Sequence, residues 1–460
     1  RQLNRHRKEI ERLGQNRSLR NPGFDLREVS SRRERIREAG AGSSEDYSFE
    51  YDLQSKKLTI FASNLTSDPQ YWRSNNHILA APNLSNARPA VQIDQSWSAP
   101  FGLLPIFEMN LPEGVLRERL RLAFAKATGT FDEFDLLSIV GRSQVGRIRY
   151  TGDTEQLHED VPFQSVDEIL ERRRGGDLLR YLLVKFASFS GISGVQPKIL
   201  VRDEKAFTEM EHTGHGLSLS YKGATHIVKL WEANQYPQLA ANEHFCLGVA
   251  RKCGLDVPPY RLAEDGMALV IDRFELRMDG TYRGFEDFCV LNGRRTDEKY
   301  RGSYETSVMK RFGQFANSTH VNQDMEKLFT LIALNCALRN GDAHLKNFGI
   351  VYDDVQGEAR LAPVYDLVTT SVYLPKDSMA LTLNGTTQWA SAKELQRLGE
   401  TRLGASPARV RQILERIHGA MAATTMELRA YNKDHQEFEG IGNRMLHDWE
   451  QGAAHSLKAG

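Results

Sequence analysis

The chain has 460 residues, 40% of them hydrophobic and 26% charged, a soluble globular composition about three times the length of a typical domain of ~150 residues. Sixty Lys and Arg balance sixty Asp and Glu to a formal net charge of zero, which excludes a chain-wide basic field for nucleic acid but not a local patch. No apolar run approaches the ~18 residues of a membrane span, and the first forty residues are charged with no leader-like apolar stretch, so a cytoplasmic protein with no membrane partner is expected.

Residues 1–40 hold twelve Arg and Lys against six Asp and Glu, a net of +6 that leaves the remainder at −6. The pattern predicts two short Arg-rich helices broken at Asn21-Pro22-Gly23, then a Gly/Ser linker at 40–44, together an arm over 1–45. Such an arm is either a solvated face or a basic surface for DNA or an acidic partner. In 46–150, alternation predicts strands at 47–51 and 57–61. Leu111-Pro112-Glu113-Gly114 opens a helix reaching Ala125, with Pro112 and Glu113 suited to its first turn. Another apolar element covers 134–140. From about 175 the order is strand, loop, strand, helix, strands, up to Arg277. Beyond Glu286 helical patterns dominate, with one strand-rich interruption at 348–366. This order predicts an α+β, bilobal, protein-kinase-like fold. Its β-rich N-lobe covers 151–277 and its helical C-lobe 278–460, with an additional N-terminal α/β subdomain over 46–150. Cys246, Cys253, Cys289 and Cys336 have no CxxC spacing and are expected to be buried free thiols.

The chemistry concentrates in Asn340-Gly341-Asp342-Ala343-His344-Leu345-Lys346-Asn347, which follows a helical stretch at 325–338. Asp342 and Asn347 are five apart, the separation at which a kinase catalytic loop holds its base and a metal-binding amide. A carboxylate must accept the attacking hydroxyl's proton, and a nearby amide oxygen must hold magnesium on the phosphates. His344 follows the Asp instead of preceding it, so the loop is a variant; by itself, Asn-Gly-Asp is also an ordinary turn. Asp366 ends a predicted hairpin over 349–365, where kinases place a second metal-binding Asp, with Asp366-Leu367-Val368 in place of Asp-Phe-Gly.

Upstream, the strand at 225–230 carries Lys229, and Glu243 lies fourteen residues later on a helix ended by Gly254. A Lys–Glu pair of this kind orients the Lys toward ATP phosphates. The loop at 189–198, with Ser190, Gly191, Ser193 and Gly194, offers small residues and backbone N–H groups for phosphate, although its GxxGxxxK spacing also suits a plain hairpin turn. There is no Walker A motif. Ile271-Asp272-Arg273-Phe274-Glu275, at the end of the β-rich part, would present backbone groups to adenine. The polar segment 294–305 is either a solvated loop or an activation-like segment that favours a protein substrate.

Taken together, these stretches resemble the HipA family of bacterial toxin serine/threonine kinases. The resemblance rests on Leu111-Pro112-Glu113-Gly114 with Leu116-Arg117-Glu118, Ser193-Gly194-Val195-Gln196-Pro197-Lys198, His226-Ile227-Val228-Lys229-Leu230, Asn242-Glu243, Asp272-Arg273-Phe274, and 340–347 with Asp366. They occur in family order over roughly 47–420. The resemblance implies a toxin kinase using ATP and magnesium on a protein serine or threonine. Asp342 would be the base, and Asn347 and Asp366 would hold metal. Lys229 would contact phosphates, oriented by Glu243. Ser193, Gly194, Val195, Gln196 and Lys198, with Asp272, Arg273, Phe274, His344, Lys346 and Asn347, would line the nucleotide site.

The resemblance also implies targets and partners. The substrate would be an aminoacyl-tRNA synthetase or another translation component, whose inactivation causes dormancy. The partner would be a helix-turn-helix antitoxin that represses the operon and reaches operator DNA; the Arg-rich arm at 1–40 is outside the family pattern and would replace a DNA contact, dock an antitoxin or act as a built-in antitoxin segment. Autophosphorylation of a loop serine would eject the loop, because a phosphate adds about −1.5 to −2 charge where ATP phosphates must sit. Gly191 stands where some members carry the modified serine, so Ser193 and Ser190 are the candidates. Around Leu383-Asn384-Gly385, a family operator contact, only Lys393 is nearby, and no DNA contact is expected there. Two other readings remain open from sequence: a DNA-associated regulatory or corepressor protein using the fold as a nucleotide-binding scaffold, and a small-molecule kinase of related fold.

Overall fold

The structure is a computed structural model that describes residues 34–38, 47–52, 57–62, 96–98, 103, 105–128, 131–150, 160–171, 178–203, 223–231, 236–277, 280–316, 319–353 and 357–458. The described residues fall into two compact units. One is built from residues up to 229 with 272–286, the other from 230–271, 287–353 and 357 onward.

The first unit opens with a five-stranded sheet in the order β4-β3-β2-β1-β5. Its strands are β1 (Glu34–Glu38), β2 (Tyr47–Asp52), β3 (Lys57–Ala62), β4 (Ser96–Ser98) and β5 (Ile148–Arg149). Strands β2 and β3 pair antiparallel from Tyr47↔Ala62 to Asp52↔Lys57, as their alternation predicts. Strand β1 corrects an expectation: this end of the Arg-rich segment is extended, not helical. It is hydrogen-bonded on both sides, to β2 and to β5. A short isolated helix is marginal in water, and two open strand edges offer its backbone better partners. The rest of the predicted arm and the linker at 40–44 lie outside the described residues.

Helix α1 (Gly114–Thr128) begins at Gly114, so Pro112 and Glu113 precede it instead of filling its first turn. Helix α2 (Glu133–Val140) is closed by a capping box: the Asp132 carboxylate accepts from the Phe134 and Asp135 amides, and Asp135 accepts from the Asp132 amide at 3.0 Å. Leu178–Phe186, expected as a strand, is helix α3. Its buried residues Leu182, Leu183 and Phe186 recur at helical spacing, which a six-residue apolar run had concealed. Beyond it, β6 (Lys198–Val201) and β7 (His226–Leu230) pair antiparallel and are buried throughout.

In the second unit, helix α4 (Leu239–Lys252) is followed by Gly254 in the left-handed region, φ 79°, where a helix stop favours glycine. Strands β8 (Tyr260–Leu262) and β9 (Ala268–Asp272) form an antiparallel pair. Helix α5 (Val321–Ala337) is buried along its apolar second half and leads directly into the 340–347 turn. The hairpin of β10 (Gly349–Tyr352) and β11 (Ala359–Leu361) follows, as expected. Two long helices, α6 (Pro407–Asp434) and α7 (Gln436–Ser456), pack on each other; α6 also packs on α4, and α7 on α5. All four cysteines are free and buried. Burial pushes the thiols of Cys246, Cys253 and Cys336 up to about 12, which keeps them protonated and inert. No helix among the described residues is long and apolar enough to cross a membrane.

Two contacts in this unit carry sharp predictions. A Cβ on Gly452 of α7 would strike the carbonyl of Ala337, the last residue of α5. Gly452→Ala must therefore push two packed helices apart, and a loss of about 1–3 kcal/mol is expected in a denaturant titration; an unchanged midpoint would contradict this packing.

His244 on α4 is held edge-on against Tyr260, with ring centroids 5.3 Å apart, and its Nδ1 is buried with no hydrogen-bond partner. Burial, aided by the Arg251 and Lys252 charges against Glu427, pushes it down to about 4. The folded state thus favours neutral imidazole. This stabilisation is complete above the ordinary histidine range and is lost as the pH falls through ~6.5 toward 4, on the order of 2–3 kcal/mol. His244→Phe is expected to flatten stability between pH 7 and pH 4.5 relative to the wild type. Identical pH profiles would contradict the assignment.

Candidate active site

In the first unit, the loop at 193–198 is docked on a carboxylate. The Glu113 carboxylate accepts from Ser193 Oγ at 2.6 Å and from the Gly194 amide at 3.1 Å. Gly114, φ 54°, lets this segment approach closely, because a Cβ there would lie 2.5 Å from the Val195 carbonyl oxygen. Gly194, φ 121°, is equally obligatory: the Lys198 ammonium occupies the space where its Cβ would be. Lys198 and Lys229 are directly opposed across β6 and β7, so both side chains share one sheet face. Both are buried. Two like charges placed directly opposite on one face repel each other, and anionic groups beside them relieve that repulsion.

Ser190 is fully buried. Its hydroxyl donates to the Phe186 carbonyl at 2.8 Å and accepts from the Leu200 amide at 2.9 Å. Gly191 has no room for a side chain: a Cβ would lie 2.6 Å from both Gln144 Cγ and the Ser143 carbonyl. Val195 is exposed, and Ser193 and Gln196 are half-buried.

At the end of β9, Asp272 lies 3.4 Å from His226 Nε2, whose Nδ1 is 2.7 Å from Thr225 Oγ1. Arg273 turns inward. Its guanidinium bonds Glu275 twice, at 2.6 and 2.8 Å, and donates to the Gln144 carbonyl at 2.7 Å, over the Tyr282 ring. Both charged side chains of the Arg273–Glu275 pair are fully buried. Phe274 packs edge-on against Phe285.

The second unit carries the turn with Asp342 and, after the hairpin, Asp366. Residues 340–347 form a tight turn after α5. Asn340 is buried, donates to Asn335 Oδ1 at 2.6 Å and accepts from the Asp342 amide at 3.1 Å. The Gly341 amide donates to Thr370 Oγ1 at 2.6 Å, and Thr370 donates to Asp377; a Cβ at Gly341 would collide with that Asp377 carboxylate. Asp377 is pushed up chiefly by burial. The Asp342 carboxylate projects from this scaffold, 47% exposed, 3.9 Å from His344 Nε2 and accepting from the Tyr300 hydroxyl at 2.6 Å. Asn347 donates its amide to the carbonyls of Asp342, at 2.9 Å, and Asp366, at 3.4 Å. That orientation leaves Oδ1 as the atom an ion can use. Asp366 itself has φ 56°, a strained conformation for a non-glycine residue and typical of functional positions.

Lys346 is buried and its ammonium pairs with Asp287 at 3.1 Å. Asp287 also caps the short helix Phe288–Leu291, and Tyr365 donates to the Lys346 carbonyl at 2.9 Å. Glu243 is fully buried on α4. Its neighbour Asn242 brackets Thr369, donating to its carbonyl at 3.0 Å and accepting from its amide at 2.8 Å, while Trp449 donates to its hydroxyl at 2.7 Å. Asn242 thereby fixes the segment that follows Asp366.

The structure thus gathers Asp342, His344, Asn347 and Asp366 in one unit, and Ser193, Gly194, Lys198 and Lys229 in the other. Glu113, Asn242 and Tyr300 were not singled out from sequence for any role at these sites. Glu113 and Asn242 were visible only as parts of family-like stretches, and Tyr300 only as part of a polar segment.

Comparison with known proteins gives the family and the fold. The family profile described as HipA-like C-terminal domain matches residues 190–425, just over half of the chain, and the profile described as HipA N-terminal domain matches 41–151. Two proteins of Sinorhizobium fredii are similar: "Putative kinase Y4dM", 30% identical over 305 residues, covering 62% of this chain and 67% of its own, and "Putative kinase Y4mE", 30% identical over 288 residues, covering 58% and 64%. The matched stretch therefore spans about two thirds of each relative's length. Among solved structures, the chain matches one from the Shewanella oneidensis HipA, HipB and operator DNA complex. The TM-score is 0.60 at 17% identity, over 91% of this chain and 97% of that one, so the two share the α+β, kinase-like fold expected from the sequence. On the profile match across half its length, the chain belongs to the HipA family.

Proposed function

We propose that this protein is a kinase that uses ATP and magnesium to phosphorylate a serine or threonine of a partner protein. The observation that carries the reading is the 342–347 turn, where a half-exposed carboxylate stands beside an amide locked by its own N–H groups to the carbonyls of Asp342 and Asp366. Its relatives bear kinase names, which supports the same reading.

The residues fit the cofactor. Among the described residues no group of three or more His, Cys, Asp and Glu could hold a metal by itself. Magnesium in such sites takes one or two protein oxygens and completes its shell with phosphate and water, and Asn347 Oδ1 with the Asp366 carboxylate supplies that number. Magnesium-ATP, when bound, supplies the phosphoryl group and neutralises its charge. Lys198, Lys229 and the 193–196 amides would hold phosphate oxygens, and the backbone of residues 272–274 would take the adenine end. Asp342 would receive the acceptor proton, and His344 would bias that carboxylate. Lys346 would serve the turn through its buried pair with Asp287. The division into an arm (1–45), subdomain (46–150), N-lobe (151–277) and C-lobe (278–460) belongs to the same proposal.

A DNA-bound antitoxin is the partner we propose, because the structural neighbour was solved with HipB and operator DNA. The target class is a translation component such as an aminoacyl-tRNA synthetase. Of the two loop serines, Ser193 is the better self-modification site. It is half-buried and held by one carboxylate, whereas Ser190 is sealed between α3 and β6.

Calorimetric titration with ATP, with and without magnesium, tests the nucleotide half of this reading. Saturable binding that strengthens with magnesium and weakens in Lys229→Met is expected; no binding under either condition would sink it.

A further inference from the structure

We propose that Tyr300 is a phosphate acceptor within its own chain, a tyrosine modified by the site it touches. The inference rests on the kinase reading above. In a kinase, the acceptor hydroxyl is the group hydrogen-bonded to the catalytic carboxylate, within about 2.6–3.2 Å. Here the Tyr300 phenol holds that place, 2.6 Å from Asp342 Oδ1. Its ring stands edge-on against His344, with centroids 5.0 Å apart, and the residue is 50% exposed, so the hydroxyl is presented and not sealed.

The segment bearing it is docked on the same turn at two further points. The Lys299 carbonyl accepts from the Leu345 amide at 3.1 Å, and Tyr304 Oη donates to the Ala343 carbonyl at 3.0 Å. Between them lies Gly302, φ 127°, a conformation that side chains resist, and Tyr304 opens the π-helical turn Tyr304–Lys310. The anchors hold the segment at both ends, and Gly302 lets the chain between them change direction.

The surroundings suit the product. The Lys299 ammonium lies 5.6 Å from the Tyr300 ring centroid. Arg301 is the next residue, its side chain 74% exposed and paired with the Glu298 carboxylate at 2.9 Å, and Arg294 donates to the Arg301 carbonyl. These cations can pair with a phosphate, as basic clusters do in phosphorylated loops.

In the step itself, Tyr300 Oη forms the new bond to the γ-phosphorus of ATP, and its proton passes to the Asp342 carboxylate. The bond from that phosphorus to the β–γ bridging oxygen breaks, and ADP leaves. The product places about −1.5 to −2 charge beside Asp342, so phosphotyrosine 300 swings away from the carboxylate and leaves it open to an external acceptor.

The test uses the full chain, stripped with phosphatase and then incubated with ATP and magnesium over a hundredfold range of protein concentration. ADP and phosphopeptides are measured together. The expected result is phosphate on Tyr300 at a rate independent of protein concentration, absent in Asp342→Asn; in Tyr300→Phe that peptide alone loses its phosphate. Steady ADP production or phosphate elsewhere, with Tyr300 unmodified, would overturn this inference and leave the kinase reading standing. A Tyr300 rate proportional to protein concentration would overturn the intramolecular step. A chain that produces neither ADP nor phosphopeptide would overturn both readings.

Discussion

Asp342→Asn is expected to lower phosphoryl transfer by about 10²–10⁴-fold, the contribution of a positioned general base. The amide has the carboxylate's shape but cannot take up a proton. The turn should survive, because it is held by groups the change does not touch: the Asp342 amide donates to Asn340, and the Asp342 carbonyl accepts from Asn347. The half-exposed side chain carries no buried charge whose loss would unfold the chain. Transfer rate and thermal midpoint, measured on the same preparation, should therefore separate: the first falls and the second holds. Equal loss of both would mean that Asp342 is structural.

The largest stability effect is expected at Arg273. Its guanidinium and the Glu275 carboxylate are fully buried, and Glu275 also accepts from the Gly146 amide at 3.3 Å. Arg273→Met removes the cation and leaves a carboxylate without its counter-charge, at a cost of about 3–5 kcal/mol. The pair Arg273→Met with Glu275→Leu removes the charge from both sides and should recover at least half of that loss, because a buried ion pair is often no better than apolar packing. Denaturant titration of the two variants checks this. A single variant as stable as the wild type would show that the pair contributes nothing.

Asp272-Arg273-Phe274 matched a family stretch, and the resemblance implied a nucleotide-lining arginine. In the structure the guanidinium bonds Glu275 and the Gln144 carbonyl over the Tyr282 ring, and the Gln144 contact, 129 positions away, is one that spacing along the chain could not reveal. Local patterns were legible where the chemistry is local. The 340–347 spacing, the hairpin before Asp366, the helix of Glu243 and the strand of Lys229 all lie in short stretches with clear periodicity. The groups that hold those stretches in place were illegible, because they act across the chain. Tyr300 reaches Asp342 over 42 positions, Glu113 reaches Ser193 over 80, and Asn242 reaches Thr369 over 127. Two elements were misread for the same reason. Glu34–Glu38 becomes a strand through its neighbours on both sides, and Leu178–Phe186 becomes a helix by burying one face.

Phosphoryl transfer by this chain is measured with γ-labelled ATP. The full chain is incubated with labelled ATP, magnesium and a bacterial lysate depleted of small molecules, and label is counted in protein serine and threonine. The expected incorporation needs magnesium, falls by about 10²–10⁴-fold in Asp342→Asn and appears in a discrete partner band. Saturable ATP binding with no label in any protein and no ADP released would contradict it.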